Sequence, residues 1–220
     1  MAIEMLKYPS ETEWLSARRI VGGSDAACVV NQNPFKSNLE LWREKTGRKQ
    51  PDDLSENELV SYGKRAEAPL RELFALDYEK TLTVSYEPFN LWLNDDYPFA
   101  HASLDGWLLE KGTGKRGILE FKTATISSKL ASEKWRDDTI PPNYYCQILH
   151  YFAVTGFDFA ILTAQLKYDF EDKELETRTK HYRIERNEVE EDIAFLMAKE
   201  KEFAEYVEQN KEIPRLLPDI

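Results

Sequence analysis

Residues Ser103–Ala124 read SLDGWLLEKGTGKRGILEFKTA. Two apolar stretches, Ala100–Leu109 and Gly117–Thr123, flank a Gly112-Thr113-Gly114 connection, the pattern of a β-hairpin. Side chains alternate faces along a strand, so Glu120 and Lys122 point to one side and Leu119 and Phe121 to the other. Asp105 is expected to end the first strand, and fourteen residues separate it from Glu120. Two carboxylates and an ammonium at one edge of a sheet are costly to bury unless a cation joins them. Hard oxygen ligands of this kind suit Mg²⁺ or Mn²⁺, which keep several waters and accept one or two protein carboxylates. A lysine beside such an ion can orient or help deprotonate an attacking water and balance charge on a phosphate. Glu-x-Lys alone is common on exposed edge strands. The Asp-Gly pair at a strand end, the spacing and the apolar strand around Glu120 point instead to metal-assisted hydrolysis, with Asp105 and Glu120 holding the ion and Lys122 serving the water.

Outward from this hairpin the chain alternates helix and strand signals. Upstream, Glu11 to Val30 reads as a helix, a Gly22–Asp25 turn (GGSD) and a second helix beginning near Ser24. Ser24 or Asp25 can cap that helix, and bare N–H groups at a helix start attract anions. Residues 48–61 (RKQPDDLSENELVS) are polar and read as a surface loop, and Tyr62 to Tyr78 follows as a helix. Pro69 must then lie in its first turn or kink it. Thr81–Tyr86 and Phe89–Leu93 alternate as strands, with Asn94–Asp96 as a turn. Downstream, Asn143 to Thr155 is helical and stops at Gly156, and Phe157–Leu166 is a near-continuous apolar run expected of a strand covered on both faces. Lys180–Ile184 is a further strand, and Asn187-x-x-Glu190 resembles a capping box opening a long helix to Val207. This order predicts an α/β fold, a central mixed β-sheet flanked by helices, as one domain over 1–220 with 187–220 as a C-terminal helix and tail.

The 220 residues are 42% hydrophobic, ample for a core, and no apolar run approaches the length of a membrane span. Met1 to Ser10 shows no signal-peptide pattern. Two cysteines, Cys28 and Cys146, exclude a disulfide scaffold and a four-cysteine metal site, and are expected as small buried hydrophobes in a reducing cytoplasm. His101, His150 and His181 show no metal-ligand spacing, so zinc catalysis is unsupported. The chain has no Walker-type glycine loop, so ATP use is unsupported too. The net charge of −11 argues at first against a polyanionic partner. From Phe170 to Ile220, however, 15 acidic residues face 9 basic ones, whereas Arg18–Arg19, Arg43/Lys45/Arg48/Lys49 and Lys64/Arg65/Arg71 form basic clusters upstream. That distribution suits an enzyme that touches DNA in one channel and must release it.

Several segments, taken in order, resemble one family: EWLSARRIVGGSDAA (13–27), NPFKSNLELWREKTG (33–47), YGKRAEAPL (62–70), SLDG (103–106), LEFKT (119–123), YYCQILHYFAVTG (144–156) and YRIERNE (182–188). The Asp-(x)14-Glu-x-Lys arrangement is similar to that of the PD-(D/E)xK nuclease superfamily, with Leu104 standing where a proline often is. Within it the chain resembles the YqaJ-type viral recombinase family, which includes lambda-type phage exonuclease. The resemblance implies a restriction-endonuclease-like core and Mg²⁺-dependent, ATP-independent digestion of double-stranded DNA from a 5′ end. The 3′ single strand left behind would pass to an annealing protein. It also implies a homo-oligomer (a ring trimer), a cytoplasmic setting in a bacterial host, and no membrane partner.

Carried over by residue, Glu67 would be a helix-borne acid near the metal, and Asp105 and Glu120 metal ligands with the Phe121 carbonyl adding a third. Lys122 would serve the nucleophilic water, and Gln147 would contact that water, the phosphate or Lys122. Arg18 and Ser24 match the pocket for the DNA 5′-phosphate, with Arg19 able to replace Arg18 because the spacing is one residue shorter here. Asp95 matches an acidic position upstream but is explained by its own turn. Trp14 is expected in the core rather than as a base-stacking wedge. Two other readings stand beside the exonuclease: an endonuclease of the same superfamily, specific for a site or a DNA structure, and a non-cleaving DNA-end-binding recombination scaffold.

Overall fold

The structure is a computed structural model and describes residues 2–169 and 176–216. Its centre is a five-stranded sheet in the order β3-β6-β7-β8-β9, formed by Leu82–Ser85, Gly106–Glu110, Arg116–Ile126, Phe159–Tyr168 and Glu176–Glu185. The β7–β8 pair is parallel and the other three pairs are antiparallel, so the sheet is mixed as expected. Parallel pairing needs a crossover, and helix α6 (Pro142–Thr155) supplies it. Two small ladders lie beside the sheet. β1 (Ile3–Lys7) runs antiparallel to β4 (Asn90–Asn94), and β2 (Val21–Gly22) runs parallel to β5 (Ala100–His101).

Strand β7 shows why the sheet is covered on both faces. Leu119 and Phe121 pack with Ala66, Leu70 and Phe74 of helix α4 (Glu58–Asp77). Ile118 and Ile126 face the other way, into a core with Ile148, Leu149 and Phe152 of α6. The remaining helices are α1 (Glu11–Ser16), α2 (Gly23–Val29), α3 (Asn38–Lys45), α5 (Lys129–Glu133) and α7 (Glu190–Glu208). Helix α2 packs against α6, and Gly23 is required there because a Cβ would run into the Tyr151 ring. Gly156 ends α6 in the left-handed region, with φ 66°. Both cysteines are buried and free. No helix among the described residues is long and apolar enough to cross a membrane.

Several boundaries differ from the sequence reading. Asn57 accepts from the N–H groups of Leu59 and Val60, so α4 starts at Glu58 and Glu58–Ser61 is its first turn, not part of the 48–61 loop. Pro69 therefore sits in the helix interior, where it denies the Arg65 carbonyl its helical partner. The expected strand over Ala100–Leu109 is broken. β5 stops at His101, and Asp105 precedes β6 rather than ending a strand. Helix α2 begins at Gly23, and Asp25 receives the Gly22 N–H at 3.1 Å, so Ser24 does not cap it. Asn187 opens no capping box, because Arg186–Glu188 forms a short 3-10 turn and α7 begins without a side-chain cap. Of the C-terminal tail, 217–220 lie outside the described residues.

Candidate active site

The same alternation that buries Leu119 and Phe121 beneath α4 turns Glu120 and Lys122 toward α6. Glu120 is 2% exposed. Its Oε1 accepts from Lys122 Nζ at 2.6 Å and from Gln147 Nε2 at 2.9 Å, while its Oε2 is buried with no hydrogen-bond partner. Asp105 Oδ2 accepts the Phe121 N–H at 2.9 Å, which fixes the aspartate against the strand that carries Glu120. Arg71, one turn after Glu67 on α4, donates to the Asp105 carbonyl oxygen at 2.5 Å and stacks on the Tyr86 ring at 3.6 Å. Gln147 also donates to the Tyr151 hydroxyl at 2.8 Å, one helical turn away on α6.

The electrostatics are those of a crowded acid cluster. Burial and the neighbouring Asp105 push the Glu120 carboxyl up to about 8, against the pull of Lys122. Burial also raises Asp105, opposed by Lys122, the Phe121 N–H and Arg71. Glu67, half-buried on α4, is pushed up to about 7 by burial and by Asp105. Burial alone would lower the Lys122 ammonium, but Glu120 and Asp105 outweigh it and hold it above its ordinary value. The folded chain thus brings Glu67, Asp105, Glu120, Lys122 and Gln147 into one electrostatic unit.

These donors fit a hard cation. Among the described residues, no three His, Cys, Asp or Glu side chains form a cage for a metal ion. The offer is smaller: two neighbouring carboxylates, Asp105 raising the proton affinity of Glu120, and Glu120 with an idle buried oxygen. Mg²⁺ and Mn²⁺ take one or two protein carboxylates and fill the rest of their shell with water. The buried unpartnered oxygen is the observation that favours this fit, since such atoms are rarely left without a partner.

Beside the acids lies a cleft of about 750 Å³ whose lining includes Glu67 and Asp105 together with Arg18, Ser24, Lys45 and Lys64. Arg18 lies over the Trp14 ring at 3.8 Å. Trp14 is half-buried in the cleft wall instead of the core, held by bonds from its Nε1 to the Asn90 carbonyl and Ser103 Oγ at 3.0 and 3.1 Å. Ser24 is exposed to the same cleft. Arg19 is not among the residues lining it, and its backbone N–H is taken by His101 Nδ1 at 3.2 Å. Asp95 receives the Ala2 N–H at 3.2 Å at the end of the β1–β4 ladder and is not among the residues lining the cleft.

Sequence reasoning placed Arg71 only in a basic cluster and missed Tyr151, although each follows a candidate residue at the helical i+4 spacing, after Glu67 and Gln147 respectively. It also missed a fully buried pair, His150 on α6 and Glu200 on α7.

The sequence model of the YqaJ-like viral recombinase domain matches residues 13–158. Protein YqaJ of Bacillus subtilis (strain 168) is 31% identical over 151 residues, which is 68% of this chain and 44% of that protein. The chain therefore spans less than half the length of that curated relative. Among solved structures, the alkaline exonuclease LHK-Exo from Laribacter hongkongensis is similar over 90% of this chain and 97% of its own, with 18% identity and a TM-score of 0.56. LHK-Exo in complex with dAMP gives 20% identity and a TM-score of 0.59. A phage-related exonuclease from Haemophilus somnus 129PT covers 90% of this chain and 99% of its own, at 13% identity and a TM-score of 0.56. At such identities the likeness is one of fold.

Proposed function

This chain belongs to the YqaJ-like viral recombinase domain family, and from that premise we propose that it is a Mg²⁺-dependent, ATP-independent nuclease. Its substrate is double-stranded DNA, digested from a 5′ end to leave a 3′ single strand. The observation that carries this reading is the idle buried Oε2 of Glu120 in a cluster with Asp105 and Lys122, Asp105 itself lining a cleft that also holds Arg18 and Ser24. Family membership and the likeness of fold to exonucleases support it.

Asp105, Glu120 and the Phe121 carbonyl would hold the ion, with Glu67 close by. When bound, Mg²⁺ supplies Lewis-acid polarisation of the phosphate and a more acidic water. The chain's own residues do the rest. Gln147 and Lys122 grip one oxygen of Glu120 and so leave the other free for the ion. The Lys122 ammonium donates to the attacking water or to the phosphate oxygens as negative charge builds on them. Arg18 and Ser24 seat the 5′-phosphate, a charge-assisted contact that sets which nucleotide reaches the acids. The released 3′ strand would be handed to an annealing protein, and a homo-oligomer would keep the enzyme on its track.

A gel assay tests this directly. Linear and closed circular duplex are incubated with Mg²⁺ or with EDTA. The expected result is progressive loss of linear DNA in Mg²⁺, with circles untouched and no loss in EDTA. Cutting of circles would move the protein to the endonucleases, and intact DNA of both forms in Mg²⁺ would overturn the enzyme reading.

A further inference from the structure

Behind the cleft, a chain of buried polar groups reaches the backbone that carries Arg18 and Ser24. It begins at Glu200 on α7, which is fully buried, with both carboxylate oxygens 2.9 Å from His150 Nδ1. His150 Nε2 lies 2.8 Å from the His101 carbonyl oxygen. A carbonyl can only accept, so Nε2 carries a proton, and the carboxylate at Nδ1 asks for a second. Burial opposes the charged ring, but Glu200 outweighs it and the His150 pKa is raised. The ring is thus a donor at both ends. His101 in turn presents Nδ1 to the Arg19 N–H at 3.2 Å and pairs with Gly22 across the β2–β5 ladder. Burial and the nearby His150 and Arg18 hold the His101 ring neutral, at about 3, as an acceptor of an N–H must be. The Gly22 backbone packs so tightly on that ring that a Cβ would stand 2.8 Å from its Cε1 and Nε2.

A buried ion pair adds little net stability over apolar side chains of the same size. What this one supplies is direction, because each ring nitrogen in the chain of bonds faces one fixed group: His150 Nδ1 the Glu200 carboxylate, His150 Nε2 the His101 carbonyl and His101 Nδ1 the Arg19 N–H. We propose that Glu200 and His150, acting through the His101 carbonyl and ring, are positioning residues that fix the Arg18–Ser24 segment for a DNA 5′-phosphate. This rests on the reading of Arg18 and Ser24 as the phosphate seat. It adds a part of the chain outside the 13–158 family match, since Glu200 lies on α7.

The test is equilibrium binding, in EDTA, of a short 3′-labelled duplex bearing 5′-phosphate or 5′-hydroxyl ends. Wild type should prefer the phosphate roughly tenfold or more, as one charge-assisted contact gives. Arg18→Ala should abolish that preference. Glu200→Gln should reduce it toward the Arg18→Ala value while hydroxyl-ended binding changes little. A wild type with equal affinity for both ends overturns the seat and the positioning together. A wild-type preference that Glu200→Gln keeps in full overturns the positioning alone. Should Glu200→Gln fail to fold, imidazole ¹⁵N NMR of the wild type decides, since the chain holds just three histidines. The His101 and His150 resonances should shift with the phosphorylated duplex and not with the hydroxyl one, while His181, on β9, stays unmoved in both. Unshifted His101 and His150 would overturn the proposal.

Discussion

Two glutamates meet helix α6, Glu120 from β7 through Gln147 and Glu200 from α7 through His150, and both are buried. Glu200 is 0% exposed and both of its oxygens are met by His150 Nδ1. Glu120 is 2% exposed, yet one oxygen has two donors and the other has none. Burial is equally severe at the two sites, so burial does not distinguish them. Satisfaction does. A buried carboxylate completed by its neighbours is a structural joint, whereas one left half-completed and set beside a second acid is waiting for something the chain does not contain.

The contrast breaks if the two residues respond alike to the same change. Glu120→Gln should lower cleavage about 10³-fold or more. Its thermal midpoint in EDTA should hold or rise, because the substitution removes a buried carboxylate whose second oxygen has no partner and whose charge Asp105 opposes. Asp105→Asn should likewise lose Mg²⁺ binding by titration calorimetry. Glu200→Gln should do the reverse. Removing one partner of a buried ion pair costs about 3–5 kcal/mol, a midpoint loss on the order of 10 °C for a domain of this size. Equal melting losses in the two glutamine variants, or unchanged Mg²⁺ affinity in Glu120→Gln, would erase the distinction.

Lys122 sharpens the comparison, because it serves Glu120 much as His150 serves Glu200. If it acts on the reaction and not on the ion, Lys122→Ala should lower cleavage by roughly 10²–10³ while Mg²⁺ affinity survives. In EDTA the variant should melt earlier than wild type, since Glu120 and Asp105 lose the ammonium that both face. Mg²⁺ should restore most of that loss. A variant that keeps most of the wild-type rate would remove Lys122 from the chemistry.

The first of these sites was legible in the sequence and the second was not. Strand alternation has period two, so an apolar strand containing Glu-x-Lys places both polar residues on one face without ambiguity, as found for Glu120 and Lys122. The start of α4 was misplaced because its cap, Asn57, stands in a polar run, and the apolar pair in the first turn, Leu59 and Val60, is not buried with the Ala66, Leu70 and Phe74 stripe. The break between β5 and β6 at Ser103–Asp105 was hidden by continuous apolar content on both sides. The His150–Glu200 pair spans fifty residues and no local pattern could join its halves. Even so, one signal was present. Glu200 falls on the apolar stripe of α7 with Ile193, Leu196, Met197 and Phe203, where a charged residue needs a buried partner.

The smallest effect expected is a dependence on pH, and its sign follows from the direction of the His150 shift. The groups facing that ring are Glu200 on α7, His101 on β5 and Asp25 on α2, with the Tyr151 ring beside it at 6.1 Å. Burial works against the imidazolium, but the Glu200 charge and hydrogen bond raise its folded pKa above the ordinary value of about 6.5. A group with a raised folded pKa binds its proton more tightly in the native state. Its contribution is therefore complete below about pH 6.5 and disappears as pH rises through the folded value. Glu120, pushed up to about 8, Glu67, pushed up to about 7, and Asp105, also raised, act in the same direction in metal-free protein, so wild type alone does not separate them from His150. A Glu120→Gln background removes one of these shifts, and the contribution of His150 is the difference measured within it. There the thermal midpoint should still decline as pH rises above 6.5, and adding His150→Gln should lower the whole curve and flatten that decline. Parallel curves with and without His150 would mean that the imidazole carries no extra proton in the folded state, and Glu200 would then face a neutral ring.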